Sequence, residues 1–178
     1  MDIRRKIAKL FAAALAVLFV MPMAGCIKPK HIVTESVWDG EYCYALYDDG
    51  TADIIGYTGT EDVLKLPSFY QSRAIVGMSI KTFEDCDELT EVYLPEHLLS
   101  IPAKLFENCE NLVSIYIPSS VEVMGKNVVY NCPNFKTVLY GGTPAGWELL
   151  NKNSSSIPWS DNYTLVSSDI QYNYHVDR

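Results

Sequence analysis

The sequence predicts an α/β solenoid, in which short strands line one face and short helical or irregular returns line the other. The first observation is a 23-residue period, shared by Cys86, Cys109 and Cys132 and by five apolar columns. The second is an alternation of apolar and polar residues at the start of each unit, which is typical of a strand with one buried face. A unit of 23 residues is too short to close its own core, so neighbouring units must stack and share one interior.

Residues 1–25 have the pattern of a signal peptide. Four basic residues precede an unbroken apolar run from Leu10 to Met21, which is twelve residues long, against the roughly 20 of a membrane-spanning helix. An ordinary cleaved signal or an uncleaved anchor from Leu10 to Ile27 fits the same pattern. Each alternative places the body of the chain outside the cytoplasm.

The end of this segment, Met23-Ala24-Gly25-Cys26, resembles a bacterial lipobox. The resemblance implies a diacylglycerol on Cys26 and therefore a lipid anchor in the membrane. Met23 stands where leucine is usual, although it is apolar and of similar size. Residues 26–38 are then the lipidated cysteine and a tether to the folded domain.

Residues 39–62 are predicted to form an N-terminal β-hairpin cap. Two alternating, β-prone runs, 41–47 and 51–57, flank the turn signal Asp48-Asp49-Gly50. Such a hairpin would cover the apolar end of the first repeat.

The repeats occupy residues 63–140, about three units of 23 residues. In residues 89–95, Val92 and Leu94 alternate with polar or amphipathic neighbours, and a proline ends the run, which predicts a strand. Residues 102–109 begin with proline and continue with helix-compatible side chains, which predicts a short helical return. An earlier copy of the strand is displaced from the next unit by five extra residues.

Residues 141–178 are predicted to form a C-terminal cap. Thr143 is a candidate helix N-cap, with Pro144 in the first turn and Trp147 closing the end of the core. A polar linker follows at 151–156, and residues 163–174 are predicted to form a final strand or hairpin.

These columns resemble the BspA-like class of leucine-rich repeats found in bacterial surface proteins. Residues 82–89 and 106–112 match its Phe-x-x-Cys-x-x-Leu pattern closely, and residues 128–135 keep the cysteine with Val and Phe in the other two places. The resemblance covers about residues 41–174. It implies a leucine-rich repeat solenoid, a right-handed β/α superhelix with its strands on the concave face, and a role in adhesion or in host and community interaction.

The charge excludes two classes of partner. The chain carries −8, and because residues 1–25 carry +3, the remainder carries −11. A surface this negative repels phosphates and anionic headgroups, so we expect neither nucleic-acid binding nor a basic membrane-surface patch.

No pattern for catalysis, metal binding or a cofactor is found. His31, His97 and His175 are isolated, and the sequence contains no Cys-x-x-Cys, Gly-x-Ser-x-Gly or phosphate-cradling glycine-rich loop. The protein is therefore predicted not to be an enzyme. The regular spacing of Cys86, Cys109 and Cys132 favours a reduced core ladder over disulfide pairing, which is the usual alternative outside the cytoplasm.

One set of residues is a candidate ligand-binding surface. If Val92 and Leu94 point inward, Tyr93 points outward, and the repeat places other side chains beside it. The predicted site is Lys65, Glu91, Tyr93, Ser114, Tyr116 and Leu139. Tyrosine is favoured at binding surfaces, although aromatic residues also suit cross-strand packing.

The sequence thus predicts a non-enzymatic cell-surface lipoprotein that binds a protein or a glycan, in adhesion or envelope interaction. A carbohydrate-binding or carbohydrate-processing envelope lipoprotein is the alternative. Both place the domain outside the cytoplasm, lipid-anchored to the cell envelope.

Overall fold

The computed structural model describes residues 32–153, 163–166 and 168–176. The predicted signal peptide, Cys26 and residues 27–31 of the predicted tether lie outside these ranges. The strands are β1 (Val33–Asp39), β2 (Tyr42–Tyr47), β3 (Thr51–Tyr57), β4 (Val63–Lys65), β5 (Phe69–Tyr70), β6 (Arg73–Met78), β7 (Glu91–Tyr93), β8 (Ser100–Ile101), β9 (Phe106–Glu107), β10 (Ser114–Ile117), β11 (Val123–Met124), β12 (Val129–Tyr130), β13 (Thr137–Tyr140) and β14 (Asp169–Gln171). The helices are α1 (Pro144–Asn153) and α2 (Tyr163–Val166).

The N-terminal cap is a five-stranded sheet with the order β1-β2-β3-β6-β5. Strands β2 and β3 pair antiparallel, so the predicted hairpin is confirmed. Its turn contains Gly50 with φ of 84°, a conformation that glycine adopts without steric cost. Residues 33–38, predicted to belong to the tether, lie in β1, which pairs antiparallel with β2.

The solenoid sheet is parallel and has the order β14-β13-β10-β7-β4. Val92 lies opposite Ile115, and Ile115 lies opposite Val138, so residues 23 apart in sequence are neighbours across strands. Together with Leu64 they form a buried column in the shared core. The predicted repeat and the solenoid fold are confirmed.

The returns between these strands are not helical, contrary to the helix predicted for residues 102–109. In that segment a turn leads into the short strand β9, which pairs with β12 of the next repeat. The reason is local: Lys104 and Asn108 have φ of 53° and 60°, and left-handed residues cannot continue a right-handed helix. The same two positions are left-handed in the neighbouring returns, as Lys81, Asp85, Asn127 and Asn131.

Two polar interactions link successive returns. The Asn131 amide donates to the Asn108 side-chain oxygen (2.7 Å), and the Asn108 amide donates to the Asp85 carboxylate (3.0 Å), forming an amide ladder. The buried Glu107 carboxylate lies 2.6 Å from Lys81 Nζ and 2.8 Å from Lys104 Nζ. Hydrogen bonds from Lys104 and Lys81 hold the pKa of Glu107 below its usual value.

Stacked phenylalanine rings and cysteine side chains pack in the interior of the solenoid. Phe83 and Phe106 stack with their centroids 5.4 Å apart. Cys43, Cys86, Cys109 and Cys132 are buried and form no disulfide, so the described part of the chain holds a reduced thiol ladder.

The C-terminal cap begins as predicted and ends differently. The Thr143 hydroxyl accepts the Gly146 N–H (3.2 Å), and the buried Trp147 ring packs against Tyr140 at 5.1 Å. Helix α1 extends into the predicted polar linker, and a short helix, α2, occupies the first part of the predicted final strand or hairpin. Strand β14 then adds to the edge of the solenoid sheet beside β13.

Candidate binding site

The predicted ligand-binding residues fall into register on the sheet face that lies opposite the core. Tyr93 pairs with Lys65 on one side and with Tyr116 on the other, and Tyr116 pairs with Leu139. Glu91 and Ser114 pair in the neighbouring column. We call Lys65, Tyr93, Tyr116 and Leu139 the tyrosine column; the predicted alternation of inward and outward residues is confirmed.

The predicted exposure of this column is wrong for much of its length. Tyr116 is only 4% exposed, Leu139 and Ser114 are each 8% exposed, and Tyr93 and Glu91 are half-buried. Tyr116 is covered because the chain turns back over the sheet after β14. We call Asn173–Val176 the C-terminal segment; its Tyr174 ring lies 5.9 Å from the Tyr116 ring.

The other end of the column is uncovered and borders a groove of about 510 Å³. We define this groove by six of the residues that line it: Lys65, Ser68, Phe69, Tyr93, Glu96 and Val176. Phe69 is 51% exposed, which is unusual for a phenylalanine, and its ring meets the His97 ring edge-on at 4.8 Å.

Polar contacts position the side chains around the groove. Lys65 Nζ lies 5.3 Å from the centroid of the Tyr93 ring, within the range of a cation–π interaction. The Tyr93 hydroxyl donates to the Glu91 carboxylate (3.1 Å), and the Tyr116 hydroxyl donates to Glu96 (3.3 Å). The face of the sheet and the groove are therefore linked by hydrogen bonds.

Burial, together with hydrogen bonds to Tyr174 and Glu91, raises the pKa of Tyr93 well above its usual value. The phenol therefore stays protonated and serves as a hydrogen-bond donor. An exposed aromatic ring, an ammonium, a carboxylate and a hydroxyl group converge here. This combination suits recognition of a ligand that is partly apolar and partly polar.

Sequence analysis identified Lys65 and Tyr93 at the groove but missed Ser68, Phe69 and Glu96. Ser68 and Phe69 belong to the segment where the first repeat copy carries five extra residues, which forms β5 and the turn before β6. That insertion was the available signal, since an insertion in one repeat projects from the regular surface.

Residues 32–153, 163–166 and 168–176 contain no group of three or more histidine, cysteine, aspartate or glutamate side chains that could hold a metal ion. No helix among the described residues combines the length and the hydropathy needed to cross a membrane.

Comparison with known proteins agrees with the repeat architecture. Residues 61–143 match the family described as BspA type leucine rich repeat region, in six copies. No curated protein shows significant sequence similarity to the chain.

Two solved structures share the fold. A leucine-rich repeat protein from Bacteroides capillosus is 17% identical with a TM-score of 0.55, over 76% of this chain and 98% of that one. A leucine rich cell surface protein from Faecalibacterium prausnitzii is 22% identical with a TM-score of 0.52, over 60% of this chain and 33% of that one. The chain thus spans about a third of the length of the Faecalibacterium protein. Residues 61–143, which match the BspA type leucine rich repeat region, therefore form a leucine-rich repeat solenoid.

Proposed function

We propose that the protein is a non-enzymatic repeat module outside the cytoplasm that binds a protein or glycan, and that a lipid on Cys26 holds it at the cell envelope. The BspA-type repeat region supports a binding role. A structural neighbour named as a cell surface protein and the signal-peptide pattern of residues 1–25 support the location.

The observation that carries the binding proposal is the groove. Its volume of about 510 Å³ is within the range of pockets that hold a small molecule, one large side chain or a short part of a glycan. Phe69 leaves half of its surface in water, and a ligand that covers the ring recovers that apolar area. Lys65 and Glu96 line the same groove with opposite charges, which would orient a polar ligand.

The same residues favour binding over carbohydrate processing. Glu96 is the carboxylate among the described residues that line the groove. Glycoside hydrolysis ordinarily uses two carboxyl groups that face one another across the scissile bond. A glycan held here would therefore be released unchanged.

The test uses the chain from Ile27 onward, which includes all described residues, against a glycan array and a panel of immobilised extracellular proteins. Phe69→Ser and Lys65→Ser should each weaken the binding of any ligand found by about tenfold or more. Val123→Ser, which changes an exposed apolar residue outside the groove, is the control. Binding that is unchanged in both groove variants would rule out this site, and turnover of a bound sugar would favour the processing alternative.

A further inference from the structure

The C-terminal segment crosses the face of the solenoid sheet instead of extending it. Gln171 still pairs with Leu139 as the last residue of β14. Asn173 then adopts φ of 54°, which turns the chain, and Val176 reaches the groove. In these few residues the chain passes from the last repeats to the first.

The segment is attached by side chains on one of its faces. The Tyr174 ring lies 5.9 Å from the Tyr116 ring, and Val176 lines the groove together with Tyr93. Tyr174 and Val176 are half-buried, whereas Asn173 and His175 are exposed. This alternation is that of an extended peptide lying on a surface.

The main chain of the segment is held at its beginning. Asn173 N–H donates to Gly142 O (2.9 Å), and Tyr174 N–H donates to Tyr140 O (3.0 Å). The segment adopts neither helix nor strand, and its outer face is in water. Segments with few buried contacts open at low free-energy cost, well below that of global unfolding.

Opening would uncover a surface with the composition of a binding hot spot. Tyr116 would lose its cover, beside Tyr93 and the exposed Phe69. A surface that holds an extended peptide through one tyrosine ring and main-chain N–H groups can hold another peptide by the same contacts.

We propose that the C-terminal segment is an intramolecular ligand, and that the tyrosine column and groove bind an extended polypeptide which displaces it and inserts an aromatic side chain in the place of Tyr174. This inference rests on the proposed binding function and specifies the ligand as a polypeptide. Because the segment is tethered, it competes at a high effective concentration. The partner binds only molecules in which the segment is undocked, so its apparent affinity is the intrinsic affinity multiplied by the undocked fraction.

The test measures binding of a fluorescent peptide with the sequence of residues 168–176 to the chain from Ile27 onward, by anisotropy. Tyr174→Ser should bind the peptide about tenfold or more tightly than the unmodified chain does, because the internal competitor is weakened. Tyr172→Ser is the matched control, since this ring contacts Tyr140 and lies just outside the segment. Adding Tyr116→Ser to Tyr174→Ser should abolish the gain.

Two results would overturn the inference. The first is a Tyr174→Ser variant that melts cooperatively and does not bind the peptide. The second is a Tyr174→Ser variant without cooperative melting, which would make the segment part of the structural core.

The same measurements distinguish this inference from the proposed function. If the peptide does not bind while a glycan or protein still binds in a Phe69-dependent way, the proposed function stands and this inference is wrong. If the peptide binds Tyr174→Ser but no ligand depends on Phe69 or Lys65, the groove proposal is wrong.

Discussion

Replacing Cys109 with alanine tests whether the cysteines act as core packing residues. Cys109 is 0% exposed, and its thiol donates to the Phe83 carbonyl at 3.0 Å. Removing the sulfur loses the transfer free energy of one methylene-sized group, about 0.8 kcal/mol. The remaining cavity, about 25 Å³, adds roughly 0.6 kcal/mol. With the weak hydrogen bond, we expect a loss of about 1.5 kcal/mol.

The assay is thermal unfolding of the chain from Ile27 onward, and the expected fall in melting temperature is about 4 °C. Cys86→Ala is the matched control, because its thiol lies 3.7 Å from the Glu84 carbonyl in a site that is 5% exposed, so its loss should be nearer 1 kcal/mol. Reducing agent should leave the melting temperature of the unmodified chain unchanged, since the four described cysteines form no disulfide.

Thiol reactivity provides an independent measurement. A hydrogen bond with Cys132, followed by burial, raises the pKa of the Cys109 thiol, and burial raises the pKa of Cys43. Thiolate is the reactive form, so iodoacetamide at pH 8 should label these two residues only after unfolding. The reasoning would be refuted if Cys109→Ala left the melting temperature unchanged. It would also be refuted if reductant lowered the melting temperature and the mass spectrum showed a Cys86–Cys109 disulfide.

Three further variants test separate features. Glu107→Gln should lower the melting temperature at pH 7 by a few degrees and make stability less sensitive to acid. The pKa of Glu107 is lower in the native state than in the unfolded state. Its contribution to stability is therefore present above about pH 4.3 and is lost as the pH falls through the native pKa. Glu84→Gln is the control, because Glu84 is more exposed and among the described residues forms an ion pair with Lys81 alone; an equal effect would contradict the role of Glu107. Gly125→Ala should cost about 3 kcal/mol, measured by urea unfolding, because its Cβ would lie 2.3 Å from the Ala103 backbone nitrogen, whereas the exposed Lys126→Ala should be nearly neutral. Cys26→Ala should abolish incorporation of labelled fatty acid in bacteria, and undiminished labelling would end the lipid-anchor proposal.

The repeat architecture could be predicted because one interval sets both the sequence period and the strand register. The side chains of Val92, Ile115 and Val138 must all be apolar to share the core, so the pattern is visible in the sequence. The hairpin cap and the Thr143 N-cap were predictable because their signals are local.

The conformation of the returns and the burial of the tyrosine column were not predictable in the same way. A lysine such as Lys104 gives no sign that it adopts a left-handed conformation, since lysine is a good helix former. The burial of Tyr116 depends on Tyr174, which belongs to a different element of the fold, and no local pattern encodes that contact.

The amide ladder has a direction. Each asparagine in it can donate toward the preceding return and accept from the following one, whereas Asp85, when ionised, can only accept. A carboxylate at this position therefore starts such a series and cannot continue one. Inserting an additional copy of an Asn108-type return should lengthen the solenoid without breaking the series, but a copy of the Asp85-type return in the middle would place a carboxylate where an amide donor is needed.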